Sequence, residues 1–84
     1  MDRNEAMEIL RPIIMRQMSG VEPDTVIDEM TFTALGASDL EIAEVFMQLE
    51  DGLKMHFSDA EIVGVETVGQ VIDLMVKHKQ TDVW

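Results

Sequence analysis

Three short stretches of the form Ser/Thr-x-x-Glu/Gln punctuate the chain: Ser38-Asp39-Leu40-Glu41, Ser58-Asp59-Ala60-Glu61 and Thr67-Val68-Gly69-Gln70. In such a box the hydroxyl accepts the N–H three residues on, while the acid or amide reaches back to the first residue's N–H. Two backbone donors that a helix start leaves bare are thereby satisfied together. Each stretch predicts a helix beginning there, which restricts the second half of the chain to helices joined by short turns. After Ser38, the residues Ile42, Val45, Phe46, Leu49 and Leu53 recur at helical spacing, with Gly52 as the expected fraying point. After Thr67, Val71, Ile72, Leu74, Met75 and Val76 do the same and stop at Lys77-His78-Lys79, whose charge suits a helix C-terminus. The Ser58 box has room only for a brief helix before Gly64.

Upstream, Ala6, Met7, Ile9, Leu10, Ile13, Ile14, Met15 and Met18 predict a first helix over Asn4–Ser19, stopped by Ser19-Gly20. Pro12 lies inside it and predicts a kink near Glu8–Pro12, because it removes a donor and crowds the carbonyl of Glu8. Residues 21–37 lose the period and read as a long loop pinned by Val26, Ile27, Phe32 and Leu35, with a short helical turn near Asp24–Asp28. Gln80–Trp84 reads as a frayed end, with Trp84 able to fold back onto an apolar patch. The expected fold is all-α: a small four-helix bundle with three longer helices, one short third helix and a long first loop.

Composition bounds the function. A chain of 84 residues with 46% hydrophobic side chains makes one domain, 1–84, with one small core. It has no cysteine and no apolar run long enough for a membrane span or leader, so a soluble cytoplasmic protein is the expectation. A formal net charge of -11 argues against nucleic acid and anionic membranes and for basic partners. The excess is concentrated between Gln17 and Leu53, where nine acids stand with no Lys or Arg. His56 and His78 lie on different elements without a zinc-type spacing, no Asp-x-Asp-x-Asp-Gly calcium loop occurs, and no metal site is expected. Ser19, Ser38 and Ser58 each have a turn or cap role, so nothing points to an enzyme. Of the eight methionines, Met30, Met55 and Met75 are candidate walls for a deformable cavity, with ordinary core packing the simpler role.

The run Leu35-Gly36-Ala37-Ser38-Asp39-Leu40-Glu41-Ile42-Ala43-Glu44-Val45-Phe46-Met47-Gln48-Leu49-Glu50 resembles the acyl carrier proteins. In that family a Leu-Gly-x-Asp-Ser-Leu stretch opens an acidic, Met-containing helix. The similarity extends to Phe32, to Phe57-Ser58-Asp59 and to Val65-Glu66-Thr67-Val68, covering nearly the whole chain. It implies a carrier fold whose serine holds a phosphopantetheine arm. Here the pair is transposed: Asp39 stands where the modified serine would be, and Ser38 fills the preceding cap position. A carboxylate would give a labile acyl phosphate in place of a stable phosphodiester, so Asp39 is not expected to be modified and no cofactor is expected. Phosphopantetheine on Ser38 is the alternative, set against its role as a cap turned toward a backbone N–H. By the same resemblance Glu41, Ala43, Glu44, Met47, Glu50 and Asp51 form a face that docks on basic biosynthetic enzymes of acyl, fatty-acid or polyketide metabolism, with a phosphopantetheinyl transferase among the partners if the chain is modified. A monomer is expected. Two departures bear on cargo: the Phe32 to Leu35 spacing is one residue tighter than in fatty-acid carriers, and Phe46 is bulkier than the usual aliphatic residue. A third reading, an acidic Met-rich helical regulator unrelated to acyl transfer, uses the same composition.

Overall fold

Asp2 opens the first helix. Its carboxylate accepts the N–H of Glu5 at 2.8 Å, and Glu5 accepts the N–H of Asp2 at 3.0 Å. This capping box, built on Asp rather than Ser or Thr, moves the start ahead of Asn4. In the computed structural model, which describes residues 1–79, the helix α1 spans Arg3–Gln17 and continues through Pro12. Pro12 is exposed, so the carbonyl deprived of its donor lies on the side where water can replace it. The expected frayed end at residues 80–84, and the fold-back of Trp84, lie outside the described residues.

The connection after α1 is more structured than a pinned loop. It contains a 3₁₀ turn over Pro23–Thr25, close to the turn expected there, and then a four-residue helix, α2, over Phe32–Leu35. The Thr31 hydroxyl caps α2 by accepting the Ala34 N–H at 3.0 Å, and Gly36 closes it with φ of 82°, a left-handed turn that glycine makes without a Cβ clash. Among the described residues, three long helices and two short ones therefore replace the expected three and one. The architecture is a small all-α bundle, with an isolated antiparallel bridge between Thr31 and Thr67.

The three capping boxes read from the sequence all form. They start α3 over Asp39–Leu53, α4 over Asp59–Val63 and α5 over Val68–His78. Gly52 does not fray α3, which runs on to Leu53 and ends at Lys54 with φ of 55°. Two contacts hold that last turn. Leu53 packs against the core, and the Glu50 carboxylate accepts the N–H of Phe57 at 2.9 Å.

Helix α1 packs against both α3 and α5. The core between them is built from Leu10, Ile14, Val45, Phe46, Leu49, Val71, Ile72 and Met75, with Phe32 and Phe57 added from the connections. Phe46 and Phe57 meet edge to face with centroids 5.0 Å apart. The first connection is stitched to α5 by backbone bonds: Phe32 N–H donates to Glu66 O at 3.0 Å, Val68 N–H to Met30 O at 2.9 Å, and Gly69 N–H to Asp28 O at 2.9 Å. Gly69 is required by this approach, since a Cβ there would sit 2.9 Å from the Asp28 carbonyl oxygen. Arg3 adds an ion-paired clasp between Asp28 and Asp73.

His78 does more than occupy a helix end. Its ring stands edge-on to Phe57, with centroids 5.0 Å apart, and its Nε2 lies 3.1 Å from both carboxylate oxygens of Glu61, which Lys77 approaches at 3.4 Å. The Ser58 N–H first, and then His78 and Lys77, pull the Glu61 carboxyl from its ordinary 4.5 down to about 2, against an opposing desolvation. A carboxylate with a folded value below its unfolded one contributes stability that is fully present above the unfolded value and is lost as pH falls through the folded one. The stability difference between the wild type and Glu61→Gln is therefore expected to be constant above about pH 5 and to shrink between 4.5 and 2. Urea unfolding of both proteins at a series of pH values measures it; a difference that does not change over that interval contradicts the pairing.

Candidate functional site

The start of α3 brings the transposed pair to the surface. Ser38 is exposed and is the N-cap, its hydroxyl accepting the Glu41 N–H at 3.2 Å while Glu41 accepts the Ser38 N–H at 2.9 Å. Asp39 is the first helical residue, also exposed, at the end of the helix dipole that favours negative charge. It borders a cleft of about 330 Å³ whose other walls are Ile42, Ile62, Val63 and Val65, between α3 and the segment of α4 and its exit. The first turn of α3 thus presents a carboxylate at its first residue, and the neighbouring hydroxyl is engaged in a cap.

The carboxylates of the acidic stretch fall into two groups. Glu41, Glu44 and Glu50 are half-buried, and each is bonded internally. Glu41 closes its capping box, Glu44 accepts from the Gln17 side chain at 2.5 Å, and Glu50 holds the Phe57 N–H, with His56 Nδ1 3.4 Å away. Gln17 also accepts from Gln48, which in turn accepts from Arg16 at 3.2 Å. A polar ladder therefore ties α1 to α3 along the flank that carries Glu44. Asp39 and Asp51 are exposed.

Between these acids runs an apolar ridge. Met47 is 64% exposed, and Leu40, two turns earlier on the same face, is 69% exposed, with half-buried Ala43 between them. Met47, Gln48, Glu50 and Asp51 line a surface depression at the far end of the ridge. Val63 at the end of α4 is 84% exposed beside the cleft. Leu40 and Val63 were not singled out from sequence, although the signal for Leu40 is legible: it lies off the stripe of Ile42, Val45, Phe46 and Leu49. The methionines considered as cavity walls are core. Met75 is fully buried, and Met30 and Met55 pack against the core, Met30 also lining a small cleft with Val21, Ala34 and Leu35.

The chain is similar in sequence and in fold to proteins of known type. Over 71 residues the chain is 32% identical to an acyl carrier protein of Clostridium perfringens, covering 84% of this chain and 93% of that one. It is 31% identical over 80 residues to an acyl carrier protein of Rubrobacter xylanophilus, covering 94% and 98%. The chain belongs to the acyl carrier protein family. No model of a protein family matches it. The fold superposes on the crystal structure of the acyl carrier protein of Thermotoga maritima with a TM-score of 0.80 at 28% identity, covering 93% of this chain and 91% of that one. It superposes on the acyl carrier protein of Enterococcus faecalis with a TM-score of 0.77 at 29% identity, covering 94% and 100%.

Acyl carrier proteins are non-catalytic partners of biosynthetic enzymes that carry a phosphopantetheine group on a serine, so membership makes this chain a carrier-type protein and not an enzyme. Among the described residues no cluster of three or more His, Asp or Glu side chains could hold a metal ion. No described helix is long and apolar enough to cross a membrane.

Proposed function

We propose that this chain is an acyl-carrier-type docking protein that works without the arm, presenting α3 to basic enzymes of acyl, fatty-acid or polyketide synthesis as an adaptor or competitor. The observation that carries the reading is the start of α3, where the first helical residue is the carboxylate of Asp39 and the hydroxyl of Ser38 is bonded into the cap. An arm joined through phosphate needs a hydroxyl that can attack and a bond that then survives. Asp39 offers neither, because a carboxylate attacking a phosphoanhydride gives an acyl phosphate that water cleaves.

On this reading α3 keeps a docking face and gives up the attachment point. Exposed Met47 and Leu40 supply apolar contact, and the acids around them attract a basic partner and orient it. Glu41, Glu44 and Glu50 contribute charge to the field even though their carboxylates are bonded within the bundle, while Asp39 and Asp51 are positioned to contact the partner.

Met47→Ala is the clean test of this face, because Met47 is exposed and its loss leaves the core untouched. Binding to a purified bacterial ketoacyl synthase, measured by isothermal titration calorimetry, is expected to weaken about tenfold, the equivalent of about 1.4 kcal/mol, with the circular dichroism melt unchanged. Equal binding by the folded variant would reject α3 as the docking element.

A further inference from the structure

The six Lys and Arg residues of the chain are not spent alike. Arg3 is clasped between Asp28 and Asp73, and Lys77 meets Glu61. Among the described residues neither Arg11 nor Arg16 of α1 is ion-paired: Arg11 donates to the carbonyl of Val26 at 2.9 Å, and Arg16 to the side chain of Gln48 at 3.2 Å. With Pro12 and Met15 they line a shallow depression of about 520 Å³ that contains one acid, Glu8. On α3 a depression of about 550 Å³ is lined by Met47, Gln48, Glu50 and Asp51. Arg16 belongs to the first and Gln48 to the second, so the bond between them marks the border along which the two depressions meet. One side of that border is basic, the other is acidic, and each holds a methionine.

A surface with opposite charges on either side of a line is complementary to itself. A two-fold axis laid along that line sets the basic half of one copy on the acidic half of another, and does so twice. We infer that this face pairs with a second copy of the chain. Arg11 and Arg16 of each copy lie against Glu50 and Asp51 of the other, and Met47, 64% exposed, seats on Pro12 and Met15 of the other. The inference stands apart from the docking reading and goes beyond it, since the paired state covers Met47 and withdraws that side of α3 from an enzyme. The net charge of -11 opposes association. That repulsion acts between charges spread over both surfaces, most of them farther apart than the screening length of about 8 Å at physiological salt, whereas the pairs across the axis lie inside it. Salt therefore damps the repulsion before it damps the pairs, and association is expected to strengthen from low salt to about 0.15 M.

Two small depressions make a weak, transient interface, so sedimentation equilibrium of the wild type is run at up to about 1 mM protein, where a reversible mixture of monomer and dimer is expected. Arg16→Glu sets like charges against Asp51 of the other copy, and Asp51→Arg does the same to Arg16. Each variant alone is expected to associate about tenfold more weakly than the wild type, because two attractive pairs become repulsive. The substitutions move the net charge in opposite directions, Arg16→Glu adding two negative charges and Asp51→Arg removing two. An association governed by net charge would weaken in the first and strengthen in the second. In a dimer of one variant with the other, both contacts again join opposite charges, so an equimolar mixture is expected to recover the association of the wild type. Arg16 and Asp51 are exposed, and an unchanged circular dichroism melt confirms that each variant is folded. Arg16→Asp and Asp51→Lys make the same pair of tests should either first choice fail it.

A wild type that stays monomeric at the highest concentration overturns the inference. So does an Asp51→Arg variant that associates as well as the wild type or better, and so does a mixture no more associated than its two parts. None of these outcomes touches the docking reading, which the binding of Met47→Ala to a ketoacyl synthase decides.

Discussion

Asp39→Ser is expected to turn a chain that stays at its own mass into one that takes up a phosphopantetheine group completely when incubated with coenzyme A and a broad-specificity phosphopantetheinyl transferase. The substitution places a hydroxyl at the first residue of α3, exposed and outside the cap, in a chain of the acyl carrier protein family. Ser38 keeps its bond to the Glu41 N–H in the variant, so the helix start survives. Intact-mass spectrometry reads the result directly: no adduct on the wild type or on Ser38→Ala, and a single adduct on Asp39→Ser. An adduct on the wild type that disappears in Ser38→Ala would show that the arm sits on the cap serine and would overturn the armless reading. The effect is large because it is chemical. Moving a hydroxyl along a helix start by one residue turns it by about 100 degrees about the axis, from facing a backbone N–H to facing solvent.

The helices were legible because their starts are written locally. A hydroxyl and a carboxylate three residues apart recognise each other within one turn, and Ser38, Ser58 and Thr67 need nothing from the rest of the chain to do so. The Asp2 box obeys the same rule, and its start was missed because Asp caps as well as Ser but is less distinctive in an acidic sequence. What the pattern did not disclose depends on neighbours distant in sequence. The helix α2 is stabilised by the bonds of Phe32 and Met30 to Glu66 and Val68, more than thirty residues away. Gly52 is a poor helix residue that the packing of Leu53 and the Phe57 bond to Glu50 override. The candidate face shows the same division. The acidity of residues 41–51 is visible in the sequence, but nothing local says that Glu44 is bonded to Gln17 across the α1–α3 contact, or that Leu40 points away from the core.

Phe46→Ala is expected to be the most damaging single substitution in the core, lowering the stability by about 3–5 kcal/mol. Phe46 is 1% exposed, packs edge-on against Phe57, and through Phe57 reaches His78 at the end of α5. Removing its ring leaves a hole where α3, the α3–α4 connection and α5 come together, and also withdraws the aromatic partner of Phe57. The margin for such a loss is thin, since a chain of this length is stable by roughly 4–12 kcal/mol. The self-repulsion of a net charge of -11 weighs against the compact state as well. Urea denaturation followed by circular dichroism should show the midpoint falling steeply, and the melting temperature should drop by about 12 °C or more. Phe46→Leu, which keeps most of the volume, should lose only about 1–1.5 kcal/mol. A cost for Phe46→Ala no greater than for Phe46→Leu would mean that the ring is not packed as described, and that this part of the interior has room to spare. That outcome matters for cargo, because the ring fills the space where α3, the α3–α4 connection and α5 meet, and any apolar group entering there has to displace it. The same residue therefore couples the stability of the bundle to the space open in its interior.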